Sequence, residues 1–331
     1  MKVLVTGGGG FLGGAIVRML RERGDEVRSF SRGVYPALAS LGVEQASGML
    51  EDADAVATAV KGCDLVFHVA AKAGIWGRYH DFYQANVAGT KHVIAACLKN
   101  GTGKLVYTSS PSVVFDGSDV EGGNESLPYP DSYEAYYPAT KALAEQMVLA
   151  ANSPELAVTA LRPHLIWGPG DNHLVPRIIA KGRAGKLRRI GTRPNMVDTV
   201  YVDNAARAHL QAADMLSPGG SVAGNCYFIS NNEPLPLWDM VNRILDAASV
   251  PPVTRSIPPK LAFAIGCICE GLWSCLRLSG EPPMTRFVAH ELASAHWFDI
   301  SAARRDFGYT PEISIDEGLR RLRQSLQAHP A

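Results

Sequence analysis

The first 160 residues alternate short apolar runs with stretches of helical periodicity. Runs rich in Val, Leu and Phe are typical of strands, and apolar positions at intervals of three and four residues are typical of helices. The pattern predicts strands at 3–6, 26–31, 64–69, 104–108 and 157–161, and helices at 11–23, 52–60, 86–99 and 134–151. Strands that alternate with helices predict an α/β fold, a Rossmann doubly wound parallel sheet covered on both faces.

The pattern changes beyond about residue 168, where Pro and Gly become frequent. We expect residues 1–167 to form the Rossmann domain. We expect residues 168–331 to form mainly a smaller substrate-binding lobe, with some segments returning to the Rossmann domain. Such a lobe would close over the carboxyl ends of the strands, where open parallel sheets bind ligands.

One segment, 261–278, is strongly apolar. Nine consecutive apolar residues end at Cys269, and Glu270 and Arg277 interrupt the remainder of the segment. A spanning helix needs about 20 mostly apolar residues. We therefore expect a buried or pocket-lining helix, with a peripheral membrane contact or a contact with a pathway enzyme as the alternative.

Composition narrows the classes of function. The 331 residues include 32 basic and 32 acidic ones, which argues against a nucleic-acid binder. The six cysteines have no metal-ligand spacing, so we expect no metal site and reduced thiols in a cytoplasmic protein. The N-terminus runs directly into a strand and lacks the pattern of a signal peptide.

A glycine-rich turn follows the first predicted strand. Gly8, Gly10 and Gly13 satisfy GxGxxG, and Gly7, Gly10 and Gly13 satisfy the wider GxxGxxG. The missing side chains let the backbone approach a pyrophosphate, and the following helix N-terminus offers free N–H groups. This turn between a strand and a helix predicts a dinucleotide site.

The end of the second predicted strand bears on the choice of nucleotide. An acidic residue there binds the ribose of NAD, whereas an Arg suits the 2′-phosphate of NADP. The strand ends in Ser31 and Arg32, without a carboxylate. The sequence therefore favours NADP(H), with NAD(H) as the alternative.

Tyr137 and Lys141 form a YxxxK spacing, which places both side chains on one face of a helix. An ammonium beside a phenol is expected to lower the pKa of the tyrosine and to make it a usable proton donor or acceptor. The strand at 104–108 leads into serines whose hydroxyls could bind a substrate oxygen. We select Ser110, with Ser109 as the alternative.

These motifs occur in an order that resembles the extended short-chain dehydrogenase/reductase family. The chain-long set comprises the glycine turn, Asp64–Ala71, Asn86–Thr90, Thr108–Ser110, Tyr137-x-x-x-Lys141 and Leu161–Pro163. The resemblance implies that Asn86 supports a proton relay beside Ser110, Tyr137 and Lys141. It also implies a homodimer that pairs through the helices at 86–99 and 134–151.

Motifs and resemblance together give a cofactor-binding set. The resemblance implies that Leu50 and its neighbour Met49 lie near the adenine, and that Pro163 to Leu165 place backbone against the nicotinamide carboxamide. The full set is Gly7, Gly10, Phe11, Leu12, Gly13, Ser31, Arg32, Met49, Leu50, Ala70, Ala71, Lys72, Thr108, Tyr137, Lys141, Pro163, His164 and Leu165.

The second half resembles the 3β-hydroxysteroid dehydrogenase branch of that family. The stretch 72–77 is similar to bacterial 2-alkyl-3-oxoalkanoate reductases, and the stretch 112–117 is closer to sterol-4-carboxylate 3-dehydrogenases. Both imply hydride transfer at C3 of a hydrophobic 3-oxo or 3-hydroxy acid, and the first, with NADPH, is favoured. Trp76 and Trp167, with Ser110 and Tyr137, are the expected substrate contacts. A sugar-nucleotide epimerase or dehydratase and a non-enzymatic NADP sensor are the remaining alternatives.

Overall fold

A parallel sheet of seven strands forms the centre of the computed structural model, which describes residues 1–328. Its strands are β1 (Lys2–Thr6), β2 (Glu26–Ser31), β3 (Glu44–Ser47), β4 (Leu65–His68), β5 (Lys104–Thr108), β7 (Ala157–Pro163) and β12 (Cys226–Ile229). The order is β12-β7-β5-β4-β1-β2-β3, and every pairing is parallel. The strand order reverses between β1 and β4, so the two loops that follow these strands open a crevice at the carboxyl edge.

Helices cover both faces of this sheet, as a Rossmann fold requires. Those of the first half are α1 (Phe11–Arg23), α2 (Pro36–Ser40), α3 (Ala53–Val60), α4 (Tyr79–Phe82), α5 (Gly89–Asn100) and α6 (Tyr136–Ala150). Two irregular turns interrupt the pattern: a π-helix at Tyr83–Ala88 and a 3₁₀-helix at Pro111–Val114. The helix expected at 86–99 therefore begins as a π-helix and becomes α-helical only at Gly89.

Outside the central sheet, the described residues hold eight short strands, and the second half of the chain adds seven further helices. The strands are β6 (Val120–Gly123), β8 (Ile166–Trp167), β9 (Arg189–Ile190), β10 (Met196–Val197), β11 (Val200–Tyr201), β13 (Leu235–Pro236), β14 (Ser256–Ile257) and β15 (His296–Phe298). The helices are α7 (Leu174–Arg183), α8 (Val202–Met215), α9 (Leu237–Ala247), α10 (Pro259–Leu276), α11 (Arg286–Ala293), α12 (Ser301–Phe307) and α13 (Ile315–Ala328).

Local chemistry sets several of these boundaries. Helix α1 ends at Gly24, which adopts φ +91° and whose N–H binds the carbonyl of Arg21. Asp52 caps α3 by accepting hydrogen bonds from two backbone N–H groups of its first turn. Strand β7 is buried along its whole length and runs two residues beyond the expected end at Leu161.

Helix α10 differs from the expectation for the segment 261–278. Only 11% of its 18 residues are buried, so the expectation of a buried helix is wrong. Among the described residues, α10 is the one helix whose length and composition would allow it to cross a membrane. Its apolar side chains instead remain on the surface, because the neighbouring α11 covers only one face.

Candidate active site

The turn after β1 brings backbone amides to the crevice. Gly7 adopts φ +72°, and a β-carbon there would lie 3.1 Å from Cα of Ala70 beyond β4. A β-carbon on Gly13 would collide with the carbonyl oxygen of Gly7. Gly10 occupies the N-cap position of α1 and has no side chain to bind the first backbone N–H groups of the helix. These N–H groups therefore remain free at the crevice. The cradle fits a pyrophosphate, and it holds the predicted residues Gly7, Gly10, Phe11, Leu12 and Gly13.

The carboxyl end of β2 offers a cation rather than a carboxylate. Arg32 is exposed and forms no salt bridge within residues 1–328, and Ser31 lies beside it with its hydroxyl 3.4 Å from that of Ser29. Glu44, on the adjacent strand, lies at the opposite end and binds Arg28 at 2.8 Å. A cation with free donors suits a phosphate dianion.

The adenine side of the crevice is more open. Met49 is 54% exposed, whereas Leu50 packs against the start of α5, where a β-carbon on Gly89 would come within 2.6 Å of its Cβ. Sequence reasoning missed Tyr35, whose ring covers Gly9 in the glycine turn. A single loop aromatic has no spacing signal that could have identified it.

Asn86 ties the loop after β4 to helix α6. Its Oδ1 accepts from the backbone N–H of Lys72 at 2.7 Å, and its Nδ2 donates to the Lys72 carbonyl at 3.1 Å and to Thr140 Oγ1 at 3.0 Å. Asn86 is buried, so each of these bonds is protected from water. The predicted residues Ala70, Ala71 and Lys72 therefore have a fixed backbone at the mouth of the crevice.

Lys141 lies buried behind the reacting tyrosine. Its Nζ donates to the carbonyl oxygen of Thr108 at 2.6 Å and lies 4.1 Å from the ring centroid of Tyr107. Burial lowers the pKa of Lys141 to about 7, against the opposing effect of Glu145. The lysine can therefore exchange its proton near neutral pH.

Tyr137 is the phenol at the centre of the site. Burial raises its pKa to about 12, while the neighbouring Ser110 hydroxyl lowers it and Glu291 raises it. The expectation that Lys141 lowers this pKa is wrong. Desolvation dominates this pKa, and the side chain of Lys141 donates to the Thr108 carbonyl instead.

The two candidate serines differ in their surroundings. Ser110 is half-buried, acts on the pKa of Tyr137 and lies with its Oγ 2.9 Å from Ser112 Oγ. Ser109 is buried, and its hydroxyl has no partner within the described chain. The structure thus brings Ser110 and Tyr137 together.

His164 belongs to a buried polar network. Its Nδ1 lies 2.5 Å from Asp198 Oδ1, and its Nε2 lies 3.1 Å from Nδ1 of His296. Both ring nitrogens are occupied and the backbone N–H donates to the carbonyl of Ile229, so only the backbone carbonyl of His164 is left for a ligand. Leu165, next in the chain after Pro163 and His164, has φ +44°, which turns this backbone sharply at the end of β7.

The two tryptophans expected to touch substrate lie in different places. Trp76 is half-buried in the loop before α4. Trp167 is fully buried, donates from Nε1 to Thr199 Oγ1 at 3.0 Å and packs 5.4 Å from the ring of Tyr201. The substrate role expected for Trp167 is therefore wrong, because its surface is already covered by the core.

Glu291, on α11, is a site residue that the sequence did not reveal. It acts on the pKa of Tyr137 from the second half of the chain. Burial raises the pKa of Glu291 to about 7. No motif or spacing distinguishes this glutamate from the others of the second half.

Comparisons with known proteins agree with this geometry. The sequence pattern of the 3-beta hydroxysteroid dehydrogenase/isomerase family matches residues 4–257. A 2-alkyl-3-oxoalkanoate reductase from Stenotrophomonas maltophilia is 56% identical over 99% of this chain and 100% of its own. A decarboxylating sterol-4-alpha-carboxylate 3-dehydrogenase from Mus musculus is 35% identical over 98% of this chain and 91% of its own.

A solved structure shows the same fold at lower identity. A dTDP-glucose 4,6-dehydratase from Streptomyces venezuelae, with NAD bound, superimposes with a TM-score of 0.77 at 23% identity, covering 99% of this chain and 98% of its own. Within the described residues, no group of His, Cys, Asp and Glu could hold a metal ion. The protein is an oxidoreductase that acts on hydroxyl or keto groups, and it belongs to the 3-beta hydroxysteroid dehydrogenase/isomerase family.

Proposed function

We propose that this enzyme is an NADPH-dependent 2-alkyl-3-oxoalkanoate reductase, which reduces the C3 ketone of a hydrophobic 3-oxo acid to an alcohol. The observation that carries the proposal is the 56% identity, over practically the whole chain, to a relative with that name. Within that match, residues 72–77 also resemble this subgroup.

Tyr137 can act as the proton donor in the reductive direction. When bound, a reduced nicotinamide dinucleotide supplies a hydride to the ketone carbon. Tyr137 then donates its phenolic proton to the oxygen, which the Ser110 hydroxyl orients by hydrogen bonding. A phenol with a pKa of about 12 is fully protonated at neutral pH and is ready to act as an acid.

Lys141 and Asn86 support the proton transfer by Tyr137. Lys141, whose pKa is about 7, can return a proton toward the phenolate after the reaction. Asn86 holds the Lys72 backbone and Thr140 on α6, which keeps the loop and the helix in register. The glycine turn of β1 would hold the pyrophosphate, and the segment Pro163–Leu165 would meet the nicotinamide carboxamide.

The preference for NADP(H) over NAD(H) rests on the end of β2. Arg32 is an exposed cation without an ion-pair partner in the described chain, and Ser31 adds a hydroxyl. Two such groups provide charge-assisted hydrogen bonds to a 2′-phosphate. No carboxylate replaces them there, since Glu44 is engaged by Arg28 and Lys2 at the far end of the strands.

Oxidation of a sterol 4-carboxylate is the second candidate function, favoured by the 35% identity to the mouse enzyme. A sugar-nucleotide epimerase or dehydratase is supported only by a fold shared at 23% identity. The family assignment argues against a non-enzymatic NADP sensor.

A second copy of the chain is the partner we propose. Helices α5 and α6 form an open surface with exposed Leu98 and Leu143, and a cavity of about 370 Å³ lies between them, lined by Lys91, Ile94, Ala95, Leu98, Met147, Ala150 and Ala151. An apolar two-helix face of this kind suits a twofold interface.

The first experiment is a steady-state assay of NADPH and NADH oxidation with a long-chain 2-alkyl-3-oxo acid. A sterol 4-carboxylate with NADP⁺ and NAD⁺ runs in parallel, and Tyr137→Phe is the matched control. Turnover of the oxo acid with NADPH, abolished in the variant, supports the proposal. Turnover of the sterol alone would reject it in favour of the second candidate.

A further inference from the structure

Helix α10 presents a continuous apolar stripe to solvent. The stripe consists of five residues at intervals of three and four positions, which places them on one face of the helix. Their exposed fractions are 48% for Leu261, 36% for Ile265, 62% for Ile268, 48% for Leu272 and 63% for Leu276. Leu278, just beyond the helix, is 42% exposed and extends the stripe. A surface this apolar is costly in water and marks a contact site.

The opposite face of α10 is fixed to the protein. Ala262 and Gly266 are buried there, and a β-carbon on Gly266 would lie 2.8 Å from the backbone nitrogen of Arg286 at the start of α11. Glu270 accepts from the Arg286 side chain at 2.7 Å. A helix held along one side in this way cannot be surrounded by lipid, so α10 is a surface helix and not a membrane-spanning one.

A strongly basic surface adjoins the start of α10. Between Asp171 and Asp198 the chain contains seven basic residues and no acidic one. Strand β9 of this segment pairs with β14, which immediately precedes α10, and a β-carbon on Gly191 would lie 3.4 Å from Pro259 Cγ. In these neighbouring segments, the cations that form no salt bridge with any of residues 1–328 are Lys181, Arg183, Lys186, Arg188, Arg189, Arg255, Lys260 and Arg277.

Three of these cations meet in a groove. Arg183, Arg188 and Arg255 line a cavity of about 660 Å³ between the end of α7 and the loop that follows α9. The same groove is lined by Pro251 and Pro252. Arg188 donates from Nη1 to the backbone carbonyls of Gly185 and Leu187, which leaves its other guanidinium N–H groups for a ligand. Guanidinium groups bind phosphate oxygens well, often in pairs.

We propose that α10 and the adjoining basic groove form a binding surface for an anionic phospholipid bilayer. The apolar stripe lies in the plane of the interface among the upper acyl chains, and Arg183, Arg188 and Arg255 take headgroup phosphates. An apolar helix face beside clustered cations is the combination by which peripheral proteins hold such membranes.

Charge favours a bilayer over a second copy of this chain at α10. The whole chain has 32 basic and 32 acidic residues, so the unpaired cations here are a local concentration. Two copies that met through this surface would bring like charges together, which is unfavourable. An anionic bilayer is complementary to both the charge and the apolar stripe.

The surface also lies close to the reaction centre. Phe263 of α10 stacks on His290 of α11 with ring centroids 4.8 Å apart, and the next residue, Glu291, acts on Tyr137. A bilayer held against α10 would therefore be separated from the active site by a single helix. Membrane binding itself does not depend on which substrate is proposed.

The test is co-sedimentation of the full chain with vesicles. Neutral phosphatidylcholine vesicles are compared with vesicles containing about 30 mol% phosphatidylglycerol, at low and high salt. We expect roughly tenfold or stronger partitioning onto the anionic vesicles, weakened by salt. The double variants Ile268→Asp/Leu272→Asp and Arg183→Ala/Arg188→Ala should each reduce it about tenfold.

Matched controls separate this surface from general effects. Met215→Asp, at an equally exposed apolar position on α8, and Lys61→Ala/Lys99→Ala should partition like the wild type. Circular dichroism and NADPH binding check that each variant folds. Equal partitioning of the wild type and the α10 variant would overturn the proposal, as would absence of partitioning. A drop in sedimenting mass caused by the α10 variant without vesicles would overturn it in favour of a protein contact.

Discussion

The side-chain amide of Asn86 pairs with the backbone of Lys72 as one strand pairs with another, accepting its N–H at 2.7 Å and donating to its carbonyl at 3.1 Å. The same Nδ2 reaches Thr140, one residue before Lys141. One buried amide therefore sets the distance between the loop after β4 and the helix that carries the reacting groups.

Replacement of Asn86 by Ala should lower kcat/KM by about 10²-fold, because the loop and α6 lose their common anchor and the reacting groups shift. Asn86→Asp should be nearly as damaging, since a carboxylate cannot donate to the Lys72 carbonyl. Steady-state kinetics check this, with Asn100→Ala at the end of α5 as the control. Normal kinetics in Asn86→Ala would show that the anchor is dispensable.

Lys141 should make the fold more stable as the pH rises. Its pKa is about 7 in the folded chain against an ordinary 10.5, so between these values the unfolded chain binds more protons. The free energy of unfolding therefore increases with pH across this window. Urea unfolding at about pH 7 and about pH 9.5 should show this rise in the wild type and a smaller rise in Lys141→Met.

The same Lys141→Met variant should lose about 10²-fold or more in kcat because proton return to the tyrosine is lost. A variant that is active and has the wild-type pH dependence of stability would contradict both parts of this assignment.

Arg32 should select the cofactor. Arg32→Ala removes a charge-assisted contact to the 2′-phosphate, so KM for NADPH should rise roughly 10–100-fold. KM for NADH should change little, because NADH lacks that phosphate. Arg78→Ala, at another exposed arginine, is the control. An equal change in KM for NADPH and NADH would show that Arg32 does not recognise the 2′-phosphate.

Removal of one partner of the buried Arg162–Glu145 pair should destabilise the fold. Arg162 Nε donates to Glu145 Oε2 at 2.9 Å, and both side chains are nearly inaccessible to water. Arg162→Met leaves a buried carboxylate and should cost about 3–5 kcal/mol in the free energy of unfolding. The double variant Arg162→Met/Glu145→Leu should recover much of that loss, measured by urea unfolding. No recovery would mean that packing, and not charge, sets the cost.

The face formed by α5 and α6 should control oligomeric state. Leu98→Glu/Leu143→Glu places two charges in the apolar surface and should give a monomer in analytical ultracentrifugation. Met215→Glu, at a comparably exposed position on α8, should leave the wild-type mass unchanged. A wild-type monomer would reject the dimer outright.

The sequence predicted much of the Rossmann sheet and the position of the chemistry. Strands β2 and β5 and helix α1 have the predicted boundaries, because apolar periodicity and the glycine at the end of α1 are local signals. Ser110 and Tyr137 lie together because the carboxyl end of β5 and the start of α6 meet at the same sheet edge.

Other features of the site depend on surroundings that no local pattern encodes. Burial raises the pKa of Tyr137, and the charge of Glu291, far along the chain on α11, raises it further. The sequence places Trp167 in the pocket, but packing with Thr199 and Tyr201 covers it. The NADP preference, the dimer and the cytoplasmic location stay predictions.

Strand β12 has a consequence for how the protein is made. It pairs with β7 across a gap of 66 residues, from 163 to 229 (229 − 163 = 66), so β7 leaves the ribosome long before its outer neighbour exists. At synthesis rates of roughly 5–20 residues per second this interval lasts on the order of 3–13 s. Throughout it a fully buried strand of the finished sheet displays an open edge, which is the geometry that recruits other chains. The nascent protein should therefore depend on chaperones most during this interval, and truncation before residue 226 should yield aggregates instead of a smaller enzyme.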